Sequence, residues 1–320
     1  MKIFTSLEQI PADFGPSSVT IGKFDGVHIG HRRMVDRLLD EARQESLIPT
    51  VLTFDRNPLS ILAPAVCPPA VVSNEQKCEL LDQLGVDATV MLTYDRDFSN
   101  MAAEEFIERV LVNALHTKAV YVGPDFRFGK GGKGNVALLE EWGVRADFDV
   151  RHFSIVESNG SRVSSTKVRE LLAEGDVAGA AALLDRPHVV RGTVVQGARR
   201  GRELGFPTAN LSPDMEGLIP ADGVYAAWAV VDGVRHPAAV SVGNNPTFEG
   251  VPNRQVEAHV LGPNCEPIDL DLYGARLEVR FVDRIRGMVA FADVESLVEG
   301  ITADVKHVCE LLRSTSGNSE

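Results

Sequence analysis

Cysteine is scarce and scattered in this sequence: Cys67, Cys78, Cys265 and Cys309 form neither a CxxC pair nor a compact cluster with histidine. That spacing offers no zinc site, and reduced, structural thiols are expected. Long apolar runs are missing as well. The opening MKIFTSLEQIPADF lacks the continuous apolar stretch of a signal peptide, and no later run approaches the ~20 apolar residues that span a bilayer, so cytoplasmic residence is expected. Positive charge is in deficit, with 32 Lys and Arg against 45 Asp and Glu and a net charge of -13. This balance argues against a broad basic face for nucleic acid or for a membrane surface. Anionic ligands must then be met by local positive sites. Neither a Walker A GxxxxGK[ST] nor a protein-kinase motif occurs, so any triphosphate must be gripped by other means.

What is present is enough for a large core: 320 residues, 44% of them apolar, about two domains at roughly 150 residues each. From Val19 to about Leu184 short apolar runs alternate with helical patterns. SVTIG precedes RRMVDRLLDEARQ, PTVLTF precedes EQKCELLDQLG, ATVMLTY precedes AAEEFIERVLVNAL, and AVYVG precedes NVALLEEW. That alternation predicts parallel βαβ winding. The period then changes. HVVRGTVVQ, GVYAAWAVV, PAAVSVG, QVEAHVL and ARLEVRFVD read as strands separated by turn signals such as Asp232-Gly233, which predicts a small antiparallel barrel or sandwich. A last helix is predicted over Val294 to Leu312 behind Asp293 as N-cap. Arg186-Pro187 stops the helix before it, giving domains of 1–186 and 187–320.

GKFDGVHIGH, Gly22 to His31, follows the first predicted strand and leads into a helix near Gly30. It therefore falls at the carboxyl end of a strand, where doubly wound sheets bind ligands. Gly22 and Gly26 permit a tight turn. His28 and His31, three apart, would share a face beside a helix N-terminus, where free N–H groups and the dipole favour phosphate. A second phosphate element is VSSTKVRELLAEG, in which Ser164, Ser165 and Thr166 open a helix carrying Lys167 and Arg169. Ordinary capping would account for those serines equally well. Between the two, GKGGKG (Gly129 to Gly134) satisfies GxGxxG literally, yet PDFRF separates it from the preceding strand, so a mobile, lysine-bearing loop over a nucleotide is expected there and not a dinucleotide fingerprint.

In the second half GRELGFPTANL, Gly201 to Leu211, is the densest motif. Gly205 lets backbone approach a ligand, and Phe206-Pro207 leads into an extended segment. Thr208 and Asn210 are two apart and leave one face with a hydroxyl and an amide oxygen, hard ligands for Mg²⁺ carrying ATP phosphates. Upstream, GTVVQGARRGR supplies Gly192, Gly197, Arg199, Arg200 and Arg202 as a flap over phosphates. In RQVEAHVL, Val256, Ala258 and Val260 would face the core while Glu257 and His259 face out.

GKFDGVHIGH, TFDRNP, GPDFRFG and VSSTKVR, followed in order by these C-terminal motifs, closely resemble the bacterial bifunctional riboflavin kinase/FMN adenylyltransferases. The likeness runs over nearly the whole chain. It implies an N-terminal Rossmann-like nucleotidyltransferase domain (a parallel sheet with flanking helices), a C-terminal antiparallel β-barrel kinase domain with a terminal helix, and Mg²⁺ with ATP at both sites. Riboflavin, FMN, FAD and ATP are the implied partners, with no nucleic acid and no membrane. The HIGH tetrapeptide then marks attack on the α-phosphate of ATP, not tRNA charging, for which KMSKS and a basic anticodon-reading domain are lacking. The resemblance assigns ATP and phosphate binding in the first half to Gly22, Phe24, Asp25, Gly26, His28, His31, Asn57, Asp125, Ser164, Ser165, Thr166 and Arg169. In the second half it assigns ATP and flavin binding to Gly192, Gly197, Arg202, Gly205, Phe206, Pro207, Thr208 and Asn210, the metal to Thr208 and Asn210, and the catalytic base to Glu257, whose carboxylate should stay ionised beside Mg²⁺. SVGNNPTF and DLYG would shape the barrel rim near the flavin. The chain departs from the family where Arg56-Asn57 replaces Pro-His, where Asp125 replaces Asn and where Gln196 replaces His. A flavin- or nucleotide-sensing protein without turnover, or a kinase alone, are the competing readings. Phe54, Phe126, Phe128 and Phe206 stay open between flavin stacking and core.

Overall fold

Valine, isoleucine and threonine dominate the first-half strands, and they pair side by side in parallel. In a computed structural model, describing residues 1–153, 157–158, 161–197, 201, 204–243, 254–266, 268 and 270–316, these are β1 (Lys2–Phe4), β2 (Ser17–Ile21), β3 (Ile48–Phe54), β4 (Ala88–Leu92), β5 (Thr117–Val122) and β6 (Asp149–His152). The sheet order is β1-β4-β3-β2-β5-β6. Every residue of β2 and β4 is buried, as expected of central strands covered on both faces. The three-residue β1 and the polar β6 carry no readable period, and the sequence did not announce them.

The helices are α1 (Ile29–Glu45), a short α2 (Leu59–Leu62), α3 (Asn74–Gln83), α4 (Arg96–Asn100), α5 (Ala103–Phe106) and α6 (Val136–Ala146). Ser73 caps α3 in a reciprocal capping box with Gln76, and the Asn135 side chain accepts from Leu138 N–H to start α6. The regular helix expected over 102–115 is corrected: after α5 the chain widens to a π-helix over Ile107–Ala114. The chain leaves β2 toward β3 and β4 on one side and returns through β5 and β6 on the other. The carboxyl ends of β2 and β5 thus flank a topological switch point, the crevice where open α/β sheets take ligands. Beyond β6, β7 (Glu157–Ser158) and β8 (Ser161–Arg162) pair as a two-stranded ribbon.

Contacts divide the chain into two units, Met1–Ser164 and Ser165–Glu320. The second opens with α7 (Ser165–Glu174) and α8 (Val177–Leu184), which pack on the barrel that follows. Leu172 C=O accepts from Ala221 N–H at 2.8 Å, and the Arg284 guanidinium donates to Glu174 C=O at 3.0 Å and Asp222 C=O at 2.6 Å. The closed antiparallel barrel runs β10 (Ala209–Leu211), β13 (Gln255–Val260), β12 (Val234–Gly243), β11 (Gly223–Val231), β14 (Arg276–Arg286), β9 (His188–Val195) and back. Closure leaves no open edge to aggregate. The last helix, α9 (Val294–Ser316), starts where Asp293 accepts from Ser296 N–H at 2.8 Å, and its Val308 and Leu312 pack on Ala226, Trp228 and Ala239. Arg286 grips Asp304 of α9 with Nε at 2.9 Å and Nη2 at 2.7 Å.

The expectation of four reduced thiols is corrected. Cys265, in the turn after β13, and Cys309, on α9, form a disulfide with Cα atoms 6.1 Å apart, while Cys67 and Cys78 are free. Forty-four residues separate the pair, and only the docking of α9 brings them together. No helix among the described residues is long and apolar enough to cross a membrane.

Candidate active sites

The first site grows from the end of β2. Phe24 and Val27 hold φ of 49° and 41° and Gly26 a φ of 79°, three left-handed residues in four positions. For non-glycine residues each costs on the order of 1–3 kcal/mol, and such concentrations of strain are characteristic of ligand cradles. The surroundings over-determine the turn. Thr53 Oγ1 donates to Lys23 C=O at 3.1 Å, the Asp25 carboxylate accepts from Val71 N–H at 2.8 Å, and the Phe24 ring, fully buried, lies 4.9 Å from the His31 ring.

His28 is the N-cap of α1: its Nδ1 accepts from the His31 N–H at 3.4 Å. A ring nitrogen that accepts carries no proton, so the proton of neutral His28 sits on Nε2. The two imidazoles are stacked, 3.8 Å between centroids and 15° between planes. Burial, then the neighbouring His28 and the Lys77 ammonium, hold the His31 pKa well below its usual value, so this ring is neutral at pH 7. His31 Nδ1 is buried with no partner among the described residues. The His31 ring therefore presents an N–H donor rather than a cation at the start of a helix, with the stacked His28 ring beside it and the helix's free amides near.

Lys77 was missed by the sequence reading. On α3, four residues before buried Leu81, it is only 5% exposed and donates to Phe54 C=O at 2.9 Å. Burial pulls its pKa down while Asp25 and Asp55 push back. A cation on the apolar stripe of an amphipathic helix was the available signal. Asn57 lines the same small cavity as Asp25 and Lys77, about 50 Å³, and its side-chain oxygen accepts from Leu59 N–H at 3.2 Å. In place of the family's histidine it caps a turn. Asp125, in the loop after β5, is exposed and pairs with Arg162 at 3.5 Å. The mobile loop expected over Gly129 to Gly134 is corrected: it is pinned, with Lys130 N–H donating to Met101 C=O at 2.8 Å and Phe128 and Gly134 bridged. Phe54, Phe126 and Phe128 join Tyr94, Phe98 and Phe106 in a chain of ring contacts. Ser165, Thr166 and Arg169 lie in the first turns of α7, preceded by Ser164, and belong by contacts to the second unit, except Ser164.

The second site is set by strand register. Asn210 on β10 lies directly opposite Glu257 on β13, which brings together residues 47 positions apart. The Thr208 hydroxyl hydrogen-bonds the Glu257 carboxylate, and the Asn210 amide lies 3.4 Å from Thr208 Oγ1. Burial raises the Glu257 pKa and the Thr208 bond opposes it. Burial thus holds this carboxylate toward its protonated form. Gly197 lies so close to Asn210 that a Cβ would come within 2.4 Å of its Nδ2. Gly197, Thr208, Asn210, Ala258 and Tyr273 line a cavity of about 340 Å³, with Tyr273 and Leu272 drawn from DLYG. Glu257 is not on its wall. Gly192 is packed against Met215. Gly205 takes a φ of 88°. Arg199, Arg200, Arg202 and most of SVGNNPTF (244–248) lie outside the described residues.

The outward-facing pair expected on β13 is half corrected. Glu257 and His259 do leave on the side opposite buried Val256, Ala258 and Val260, but the Phe206-Pro207 segment covers that side and leaves His259 4% exposed. His259 Nδ1 lies 2.8 Å from Pro207 C=O, with the Phe206 ring edge-on at 5.5 Å. Among the described residues no group of three or more His, Cys, Asp or Glu is placed to hold a metal. Thr208, Asn210 and Glu257 offer only hard oxygen donors, which suits Mg²⁺ completed by nucleotide phosphates.

A family model described as FAD synthetase matches residues 10–167, and one described as riboflavin kinase matches residues 184–312. The bifunctional riboflavin kinase/FMN adenylyltransferase of Escherichia coli (strain K12) is 36% identical over 89% of this chain and 90% of its own. The Pseudomonas fluorescens protein of the same name is 33% identical over 95% and 96%. A crystal structure titled as a macrolide-efflux protein from Streptococcus pneumoniae superposes with a TM-score of 0.82 at 30% identity, covering 95% of this chain and 97% of that one.

Proposed function

The chain belongs to the bifunctional riboflavin kinase/FMN adenylyltransferase family, and from that premise we propose which of its residues carry each reaction. It is a transferase that phosphorylates riboflavin to FMN with ATP and adenylylates FMN to FAD with a second ATP, releasing pyrophosphate.

For the kinase, Glu257 accepts the proton of the riboflavin ribityl hydroxyl as that oxygen attacks the γ-phosphorus, and Thr208 and Asn210 would hold Mg²⁺ together with the ATP phosphates. Mg²⁺ bound there would neutralise charge on the transferring phosphoryl group. The observation that carries this reading is the register that sets Asn210 opposite Glu257 with Thr208 hydrogen-bonded to it. A raised pKa suits a base that must take a proton near neutrality.

For adenylyl transfer, an FMN phosphate oxygen attacks the α-phosphorus and the P–O bond to pyrophosphate breaks. The nucleophile is already anionic, so positioning and charge stabilisation suffice. Gly22, Phe24, Asp25 and Gly26 form the cradle, and His28 and His31 donate N–H groups to the developing charge. Asn57 and Asp125 serve substrate at the carboxyl edge of the sheet. For Ser164, Ser165, Thr166 and Arg169 the support is the pattern itself, hydroxyls and a guanidinium at a helix start.

Incubation with riboflavin and ATP, with and without Mg²⁺, followed by chromatographic separation of flavins tests the whole. FMN and FAD are expected with the metal and neither with EDTA in its place. FMN alone would reduce the chain to a kinase, and formation of both flavins in EDTA would remove the metal from the reading.

A further inference from the structure

We infer that His259 is a positioning residue of the kinase: it holds the Phe206-Pro207 strap so that the next residue, Thr208, meets Glu257. The inference rests on the roles proposed above for Thr208, Asn210 and Glu257 and adds a residue to which they assign nothing.

Two residues of one strand grip two consecutive residues of the strap. Glu257 meets the Thr208 hydroxyl, and His259, two positions along β13, meets the Pro207 carbonyl at 2.8 Å. A carbonyl only accepts, so the proton of His259 is on Nδ1. That hydrogen bond fixes the tautomer of the buried ring. Its other nitrogen, Nε2, is buried with no partner among the described residues. A position serving packing alone would favour an apolar side chain there, because an unpaired buried nitrogen is costly. One donor is used, and it is aimed at the strap.

The strap needs such a hold. Pro207 has no N–H to enter a ladder, and β10 begins only at Ala209, paired with Ala258. Between Gly205, with its φ of 88°, and Ala209, the chain is fixed by the Phe206 N–H bond to Gly201 C=O at 2.7 Å, by the Phe206 ring against His259, and by the imidazole on Pro207. Removing the donor leaves the Ala209 to Ala258 pairing and the barrel intact while freeing the residue before Thr208.

The test uses the full chain with three substitutions. His259→Phe keeps a ring and deletes the donor, His259→Gln stays polar but carries its N–H one bond farther out, and His259→Asn places an amide N–H where Nδ1–H stood. FMN formation is followed for kcat and for KM toward ATP-Mg²⁺ and riboflavin, with FAD formation from supplied FMN as the internal control. Loss of a buried donor predicts that His259→Phe and His259→Gln lower the kcat of FMN formation on the order of tenfold and raise KM for ATP-Mg²⁺ several-fold. His259→Asn should restore most of that loss, and FAD formation should hold in all three. Wild-type kinase constants in His259→Phe, or in His259→Gln if the Phe variant does not fold, would overturn the inference. So would equal impairment of the Asn and Phe variants, which would mark a packing role. FMN formation by Glu257→Gln at the wild-type rate would instead break the underlying assignment of the base.

Discussion

The two proposed sites are built on opposite plans. In the first unit the phosphate cradle and both imidazoles lie within ten residues, Gly22 to His31, as three left-handed residues and a capping imidazole at the end of one strand, although Asn57, Asp125 and the α7 start are drawn from elsewhere. In the second unit no ten residues suffice. Thr208 and Asn210 acquire their meaning from Glu257, 47 positions after Asn210, through the pairing of β10 with β13. A loop site tolerates changes elsewhere in its sheet, whereas a site made by register is lost with a one-residue slip. The comparison predicts that each activity can be removed without the other.

Glu257→Gln should give the largest separation. Replacing a general base by its amide removes roughly 10²–10⁴ in rate, so FMN formation from riboflavin should nearly vanish while FAD formation from supplied FMN continues. Equal loss of both activities would dissolve the two-site picture. Next, His28→Ala with His31→Ala removes two N–H donors to developing charge, at about 10²–10³ in kcat. FMN should then accumulate from riboflavin with little FAD. Unimpaired FAD output would take the stacked imidazoles out of the chemistry.

How much of each plan the sequence exposed follows from the same contrast. The 22–31 cradle was legible because its glycines, histidines and following helix are contiguous, and the wound sheet was legible because buried parallel strands leave dense apolar runs. The barrel strands also showed, and the extended segment expected after Pro207 is the short β10. What stayed hidden required partners distant in sequence. Lys77 is buried because Phe54 C=O and two carboxylates surround it. His259 is buried because a strap 52 residues upstream crosses it. Cys265 meets Cys309 because α9 docks on β11 and β12. A single strand's alternation says which side a residue leaves, not what covers that side.

A smaller effect sharpens the register argument. Thr208→Val removes the hydroxyl that opposes the rise in the Glu257 pKa. The base must be ionised to accept a proton, so the acid limb of the kinase pH profile should move to higher pH, along with a fall in rate of about tenfold from the lost ligand. An unmoved limb with a lower rate would mean that Thr208 acts on the metal and nucleotide alone.

The smallest effect at neutral pH concerns a buried histidine of the barrel. His188, at the start of β9, is 1% exposed and donates from Nε2 to Leu218 C=O at 2.6 Å, outside both proposed sites. Burial pulls its pKa from 6.5 down to about 4. The unfolded chain then binds a proton that the folded barrel refuses between those values. Stability is full above about pH 6.5 and falls as pH drops toward about 4, by about 2 kcal/mol between pH 7 and pH 5. His188→Gln keeps a donor for Leu218 but does not titrate, so it should flatten the pH dependence of barrel melting over that window while both activities at pH 7 stay as in the unaltered chain. Melting followed from pH 7 to pH 4 in both proteins decides it. If the slopes coincide, the acid sensitivity of the barrel comes from its carboxylates.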